Sequence, residues 1–322
     1  MQLTITPPTE TATVSARRVL VLSPHYDDEV FGCGALLAQL AESEAEIRVL
    51  YLTDSSGGVE ITDNRETYAA QRRIEAQRGL DVLGIGQLET LAIPDGALAD
   101  HVEDATRAVS RVIQEHQPDL LLSVSPCEIT SDHRAAFMAL YRSLSSLRGG
   151  GDIERIMAGC QILLYEVNHP GYPNLLVDVS LHLDLLRMAI EAHQSQLELH
   201  NYRDAALGMR HFRALSLPAD VQAAEGYREV TLADFTTHSH DGLVRRLGGV
   251  IPRAETLDGP LVSVIVRTKD RPELLAEALD SIAASTYRRV EVVLVNDGGE
   301  SPSVPAAFPH SIVPVEMSTN QG

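Results

Sequence analysis

The chain has no tryptophan and only nine tyrosines and five phenylalanines among 322 residues. A surface built to stack nucleic-acid bases is therefore poorly supplied. Basic residues are also short: 26 Lys and Arg stand against 45 Asp and Glu, a formal net charge of −19. Nucleic acids and anionic membranes both repel such a chain, so neither is an expected partner. The three cysteines, Cys33, Cys127 and Cys160, are odd in number and far apart, which excludes a disulfide framework and a CxxC zinc site. That usage fits a reducing compartment, and a cytoplasmic location is expected. No apolar run approaches the roughly 18 residues of a transmembrane segment. The N-terminal stretch MQLTITPPTETATVSARR lacks the apolar core of a signal peptide.

What is present is a 44% apolar share, enough for a sizeable core. At roughly 150 residues per domain the length suggests about two domains. RVLVLS (18–23), EIRVLYLTD (46–54) and DLLLSVSP (119–126) are apolar runs of strand length. Residues 30–43, 63–83, 101–116 and 132–147 have helical spacing between and after them. This alternation predicts right-handed βαβ crossovers and an α/β fold: a Rossmann-like, mostly parallel sheet flanked by helices. CQILLYEV and NLLVDVS add two strand-like runs, one helix is expected over 181–200, and 201–230 is mixed. Residues 233–259 read as a linker in which His238 and His240 are solvated rather than metal-binding, with a short helix at 241–247. From Leu261 a new pattern begins: LVSVIVRT, a helix led by Pro272, then VEVVLVNDGG, one partial βαβ unit.

The segment SPHYDDE follows the first strand directly. His25 and Asp28 are three apart, so a helical turn would place both on one side. Imidazole nitrogen and carboxylate oxygen suit Zn²⁺, and a third ligand, His133, follows another strand in SDHRA. Strand ends at one edge of an open α/β sheet meet in its ligand crevice. A His₂Asp set leaves a coordination position for water, and Asp27, next to Asp28, is placed to accept that water's proton. Fe²⁺ can occupy the same donors. The competing reading is a helix N-terminus merely lined with acidic residues.

SPHYDDEVFGCGALL resembles the opening of the LmbE/PIG-L zinc-dependent deacetylases, whose motif is PHPDDE before a small-residue helix. LTDSSGG, QRRIEAQRGLDVLGI, IPDGAL, SPCEITSDHRAA, VDVSLHLDLLRMAIEAHQSQL and AAEGYREV resemble later segments of that family in order, over about 17–232. The resemblance implies hydrolysis of an N-acetyl group from an N-acetylglucosamine unit in a glycoconjugate or glycolipid. It implies zinc on His25, Asp28 and His133, Asp27 as general base, and sugar contacts from Arg72 and Asp95. His193 is expected to pack rather than ligate. Tyr26 stands where the family has Pro, and Thr130 and Ser131 stand where it has the His-Pro of HPDH. Thr130 thus occupies a catalytic position but cannot act as a general acid near neutrality.

Residues 260–322 resemble the start of family-2 glycosyltransferases with a GT-A fold, with Asp297 at the carboxylate that contacts a nucleotide base. The downstream metal-binding DxD of that family is absent, which suggests part of a bifunctional protein. Two alternative functions follow: a degenerate, non-catalytic glycan- or metal-binding module, and a nucleotide-sugar-binding unit. Restoring the family residue tests the first alternative. Thr130→His is expected to raise acetate release, since loss of one such donor costs about 10²–10³ in rate; an unchanged rate would show that residue 130 takes no part.

Overall fold

The computed structural model describes residues 8–57, 64–86, 88–145, 151–251, 260–283, 285, 287, 289–305 and 308–320. The chain forms two compact units, Met1–Val250 and Ile251–Gly322.

In the first unit the elements run β1 (Arg18–Ser23), α1 (Asp28–Glu42), β2 (Glu46–Thr53), α2 (Arg65–Val82), β3 (Glu89–Ile93), α3 (Val102–His116), β4 (Leu120–Val124), α4 (Ser131–Ser145) and α5 (Asp152–Ala158). They continue with β5 (Gln161–Tyr165), β6 (Leu175–Asp178), α6 (Leu183–Glu191), α7 (Gln194–Leu197), α8 (Tyr202–Ala214), β7 (Ala224–Val230), α9 (Leu232–Thr237) and α10 (His240–Arg246). One seven-stranded sheet has the order β3-β2-β1-β4-β5-β7-β6. β3, β2, β1, β4 and β5 pair in parallel, while β7 runs antiparallel between β5 and β6. Val19, Leu20, Val21 and Leu22 of β1 are all fully buried, as expected of a central strand covered on both faces.

Several elements differ from the sequence expectation. β3 was not anticipated: ETLAI is short and partly exposed, and its register with β2 is broken between Tyr51 and Thr53. The helix expected over 181–200 breaks at His193, because the buried Glu75 carboxylate takes the Ser195 N–H at 3.1 Å and the Ser195 hydroxyl at 2.6 Å. The expected linker also holds α9, which was not anticipated, while α10 lies at the short helix expected over 241–247. Phe235 is fully buried 6.2 Å from the Phe137 ring, Leu243 and Val244 are buried, and Tyr141 Oη donates to the His238 carbonyl at 3.0 Å. The rest of that expected linker, 252–259, lies outside the described residues.

The approach of α1 to the sheet depends on small residues and one buried carboxylate. A Cβ at Gly32 would lie 2.2 Å from the Tyr165 ring and 3.0 Å from the Glu166 carbonyl, so only glycine lets α1 sit this close to β5. Next to it Cys33 leaves helical geometry (φ −140°, ψ 15°). Glu225 of β7 accepts the N–H groups of Ala35 and Leu36 at 3.1 and 2.9 Å beside this kink. The same carboxylate holds Arg210 Nη2 at 2.6 Å and Tyr227 Oη at 2.6 Å. AEGYREV reads as mixed in sequence because this internal Glu interrupts the apolar pattern.

The second unit holds β8 (Val262–Thr268), α11 (Pro272–Ala283), β9 (Val290–Asp297) and β10 (Ser311–Met317) in a parallel sheet of order β10-β9-β8. Leu275, Leu279, Val292 and Leu294 form its core. β10 extends the expected βαβ unit; its Pro314 is tolerated because the strand lies at the sheet edge. Among the described residues no helix is long and apolar enough to cross a membrane.

Removing the Glu225 carboxylate strands Arg210 in the interior and frees two helix N–H groups. Glu225→Ala is expected to lower unfolding free energy by about 3–5 kcal/mol, read from urea denaturation. A loss below about 1 kcal/mol would show that packing alone holds the kink.

Candidate metal centre at the carboxyl edge of the sheet

Strand order reverses between β1 and β4: from β1 the chain passes to β2 on one side, and β4 lies on the other. The loops leaving these two strands therefore flank the crevice of the sheet. The first loop is pinned from several sides. Ser23 Oγ donates to the His25 carbonyl at 2.7 Å, Thr53 Oγ1 to the Pro24 carbonyl at 2.8 Å, and Tyr26 N–H to Ser55 Oγ at 2.8 Å. Tyr26 is buried, with its hydroxyl 3.3 Å from Thr90 Oγ1 and its ring edge-on to Tyr51. After β4, the Thr130 hydroxyl accepts the His133 N–H at 3.4 Å, the bond an N-cap residue makes to the third residue of its helix.

These loops bring three donor atoms together. His25 Nδ1 lies 3.1 Å from Asp28 Oδ2 and 3.3 Å from His133 Nε2, and the last two atoms are 3.2 Å apart. Four-coordinate zinc with bonds of about 2.0–2.1 Å places its ligands about 3.3 Å from one another, so the triangle has the right size. The outer ring nitrogens explain how both rings aim inward. His25 Nε2 faces Asp132 Oδ2 at 3.4 Å and Asp95 Oδ1 at 3.5 Å; His133 Nδ1 faces Glu128 Oε2 at 3.2 Å. A proton on each outer nitrogen serves these carboxylates and leaves each inner lone pair for an ion.

The carboxylates are held in turn. Asp132 accepts the N–H groups of Gly96 and Leu98 at 2.7 and 3.2 Å. The 94–97 turn that presents these donors closes through Ala97 N–H to the Pro94 carbonyl at 3.0 Å and needs a positive φ at Gly96 (+84°). Asp95 accepts the Gly57 N–H at 3.0 Å. Glu128 accepts three N–H groups from the loop after β5, those of Val167, Asn168 and His169, at 2.8, 3.1 and 3.4 Å. Sequence reasoning passed over Glu128 and gave Asp132 no role; an acidic residue just after a strand and five before a candidate ligand was the available signal for Glu128.

Asp27 is not free, as adjacency to Asp28 had suggested. Its Oδ2 accepts from Arg72 Nη2 at 2.8 Å, and Arg72 Nη1 donates to the Ser55 carbonyl at 3.1 Å. Arg72 is only 5% exposed, so both ends of its guanidinium are committed inside the protein. Glu75, three residues after Arg72 in the QRRIEAQRGLDVLGI segment, holds the HQSQ segment as described above. His193 of that segment lies outside the donor triangle. It is buried 5.8 Å from the Phe31 ring, and burial pushes its pKa down to about 4. Asp297 belongs to the second unit, where it ends β9 as a buried residue 3.8 Å from Arg267 Nε.

Charge makes the case for a cation independently of distance. Asp27, Asp28, Asp95, Glu128 and Asp132 surround two imidazoles and one guanidinium. Burial lowers the affinity of His25 for a proton, but Asp132, Asp28 and Asp95 outweigh it and hold its pKa well above the ordinary value. Burial works against His133 too, and Asp28 and Glu128 still raise it to about 9. Against the burial that opposes it, Asp28 is held far below the usual carboxylate range by the two imidazoles. Asp27 is raised by burial, with Arg72 limiting the rise. Glu29 is pushed up to about 8 by burial, against the opposing effect of the Tyr51 hydroxyl that donates to it. A site that draws protons onto both imidazoles is short of positive charge, and a divalent ion supplies it.

Residues 20–143 match the family described as PIG-L, GlcNAc-PI de-N-acetylase. This stretch is similar to PIG-L domains. Residues 263–322 match glycosyl transferase family 2. The chain is 27% identical over 194 residues to a diacetylchitobiose deacetylase of Thermococcus kodakarensis, covering 56% of this chain and 70% of that protein. It is 27% identical over 190 residues to a probable N-acetyl-alpha-D-glucosaminyl L-malate deacetylase 2 of Bacillus cereus, covering 56% and 84%. In fold it resembles the N,N'-diacetylchitobiose deacetylase of Pyrococcus horikoshii, with a TM-score of 0.59 at 23% identity over 70% of this chain and 88% of that one. The first unit thus places its donor triangle on an α/β scaffold of the same fold as that protein.

Because Glu128 aims His133, Glu128→Ala is expected to weaken zinc binding about 10–100-fold, with Glu128→Gln between it and the parent. Competition with a chromophoric chelator reads the affinity. Unaltered affinity in both variants would show that packing alone orients the ring.

Proposed function

We propose that the first unit is a zinc-dependent hydrolase that removes the N-acetyl group from an N-acetylglucosamine-type sugar in a glycoconjugate or glycolipid. The observation that carries this reading is the His25–Asp28–His133 triangle with the Asp27 carboxylate beside it. The named activities of the relatives supply the substrate class. His25, Asp28 and His133 hold the ion, for which Fe²⁺ is the alternative to Zn²⁺. When bound, the ion polarises the acetamide carbonyl and makes water a better nucleophile at neutral pH.

The chain's own groups do the rest. Asp27 Oδ2 is taken by Arg72, leaving Oδ1 to accept a proton from the attacking water and return it to the departing amine. Arg72 keeps this carboxylate aimed, a different task from the sugar contact its motif implies. Asp95 carries the sugar contact in this reading while one oxygen faces His25. Thr130 contributes a hydroxyl where the family has an imidazole. In the second unit Asp297 is the proposed contact to a nucleotide base, which would join deacetylation to glycoconjugate assembly. A cytoplasmic site of action fits three cysteines without a disulfide.

The N-cap role of Thr130 favours one second reading, a glycan- or metal-binding module without turnover. Acetate release from N,N'-diacetylchitobiose and N-acetylglucosaminyl malate by the zinc-loaded chain separates the two. Release is expected, and Asp27→Asn should lower kcat about 10²–10⁴-fold with zinc retained. Retained zinc without acetate release from either compound would favour the binding module.

A further inference from the structure

Arg72 directs Nη2 to Asp27 and Nη1 to the Ser55 carbonyl, so both ends of its guanidinium are engaged within the protein rather than turned toward a sugar. Another element supplies a donor. Phe31 follows Asp28 by three residues and Asp27 by four, and its N–H donates to the Asp27 carbonyl at 2.9 Å. It therefore projects on the face of α1 that carries both carboxylates. Tyr202, the first residue of α8, stacks on Phe31 with ring centroids 5.3 Å apart and planes 21° from parallel. Its position is fixed from behind: Asn201 caps α8 by accepting the Asp204 N–H at 3.3 Å, and the His200 ring stands edge-on to Tyr202 at 5.5 Å.

The tyrosines near the site differ in what their hydroxyls do. Those of Tyr26, Tyr51, Tyr165 and Tyr227 donate to Thr90, Glu29, the Leu22 carbonyl and Glu225, and that of Tyr68 accepts from Gln196. The Tyr202 hydroxyl has no such partner among the described residues, and its ring is half-buried. We infer that Tyr202 is a substrate-contacting residue whose hydroxyl donates a hydrogen bond to a hydroxyl group of the N-acetylated sugar, at the rim formed by α1 and α8. This rests on the deacetylase reading above. Burial and the neighbouring Asp27 and Asp28 charges raise the phenol above its usual pKa, against the opposing effect of Arg72 and His25, so it stays protonated as a donor. A donor of this kind fixes which sugar is accepted, because an analogue lacking the matching hydroxyl leaves it unpaired.

Tyr202→Phe keeps the ring on Phe31 and removes only the donor. In the zinc-loaded chain it is expected to raise KM for N,N'-diacetylchitobiose about tenfold, the effect of one hydrogen bond, with kcat within about threefold. Calorimetry with N-acetylglucosamine should show the same loss of affinity, at unchanged zinc content and melting temperature. Unchanged KM and affinity in Tyr202→Phe, with the parent active, would overturn this assignment alone. So would a fall in kcat at constant KM. A parent chain that neither binds N-acetylglucosamine nor releases acetate would overturn both the assignment and the reading beneath it.

Discussion

Asp28 Oδ2 lies 3.1 Å from one imidazole nitrogen and 3.2 Å from another, at a sheet edge where these groups are almost wholly enclosed. Most other features of the site serve this contact. Two imidazoles can point lone pairs at one carboxylate oxygen only if a cation or protons lie between them. The outer carboxylates, Asp95 and Asp132 on one ring and Glu128 on the other, fix the tautomers that make this arrangement possible. The same carboxylates add negative charge, so the geometry and the electrostatics call for the same occupant.

The scaffold explains how such a cluster is held. Backbone N–H groups from two separate loops, 96–98 and 167–169, anchor Asp132 and Glu128. Arg72 reaches from α2 to Asp27, and Glu75 on the same helix captures the 193–195 bend. The kink of α1 is patched by Glu225, which keeps the first turn of that helix, with Asp27 and Asp28, in place. Each of these is a buried charge satisfied by several partners. Such groups are costly when any one partner is lost, and that makes the site rigid.

The legible parts of the sequence were those where the local pattern and tertiary context agree. RVLVLS and LLLSV are unbroken apolar runs and became the central strands, and HYDDE and SDH fell at their carboxyl ends. The illegible parts are places where a long-range polar contact overrides local pattern. Glu225 breaks the apolar signal of β7, Glu75 breaks the helix at His193, and Ala92 (φ +51°) and a register shift disguise β3. α9 read as linker because Phe235 is its only fully buried apolar residue, too sparse a signal for periodicity, whereas α10, with Leu243 and Val244 buried, lies at the short helix expected over 241–247. The family pattern pointed to Arg72 but could not show that its guanidinium turns inward. Glu128 went unnoticed since nothing in one sequence links it to three N–H groups some 40 residues away.

Metal content is the most direct test of the central claim. Elemental analysis of the purified chain, after incubation with Zn²⁺ and removal of excess, is expected to find about one ion per chain, with loss of that ion in both Asp28→Ala and His133→Ala. A parent chain that retains no metal, or variants that retain it fully, would contradict the account.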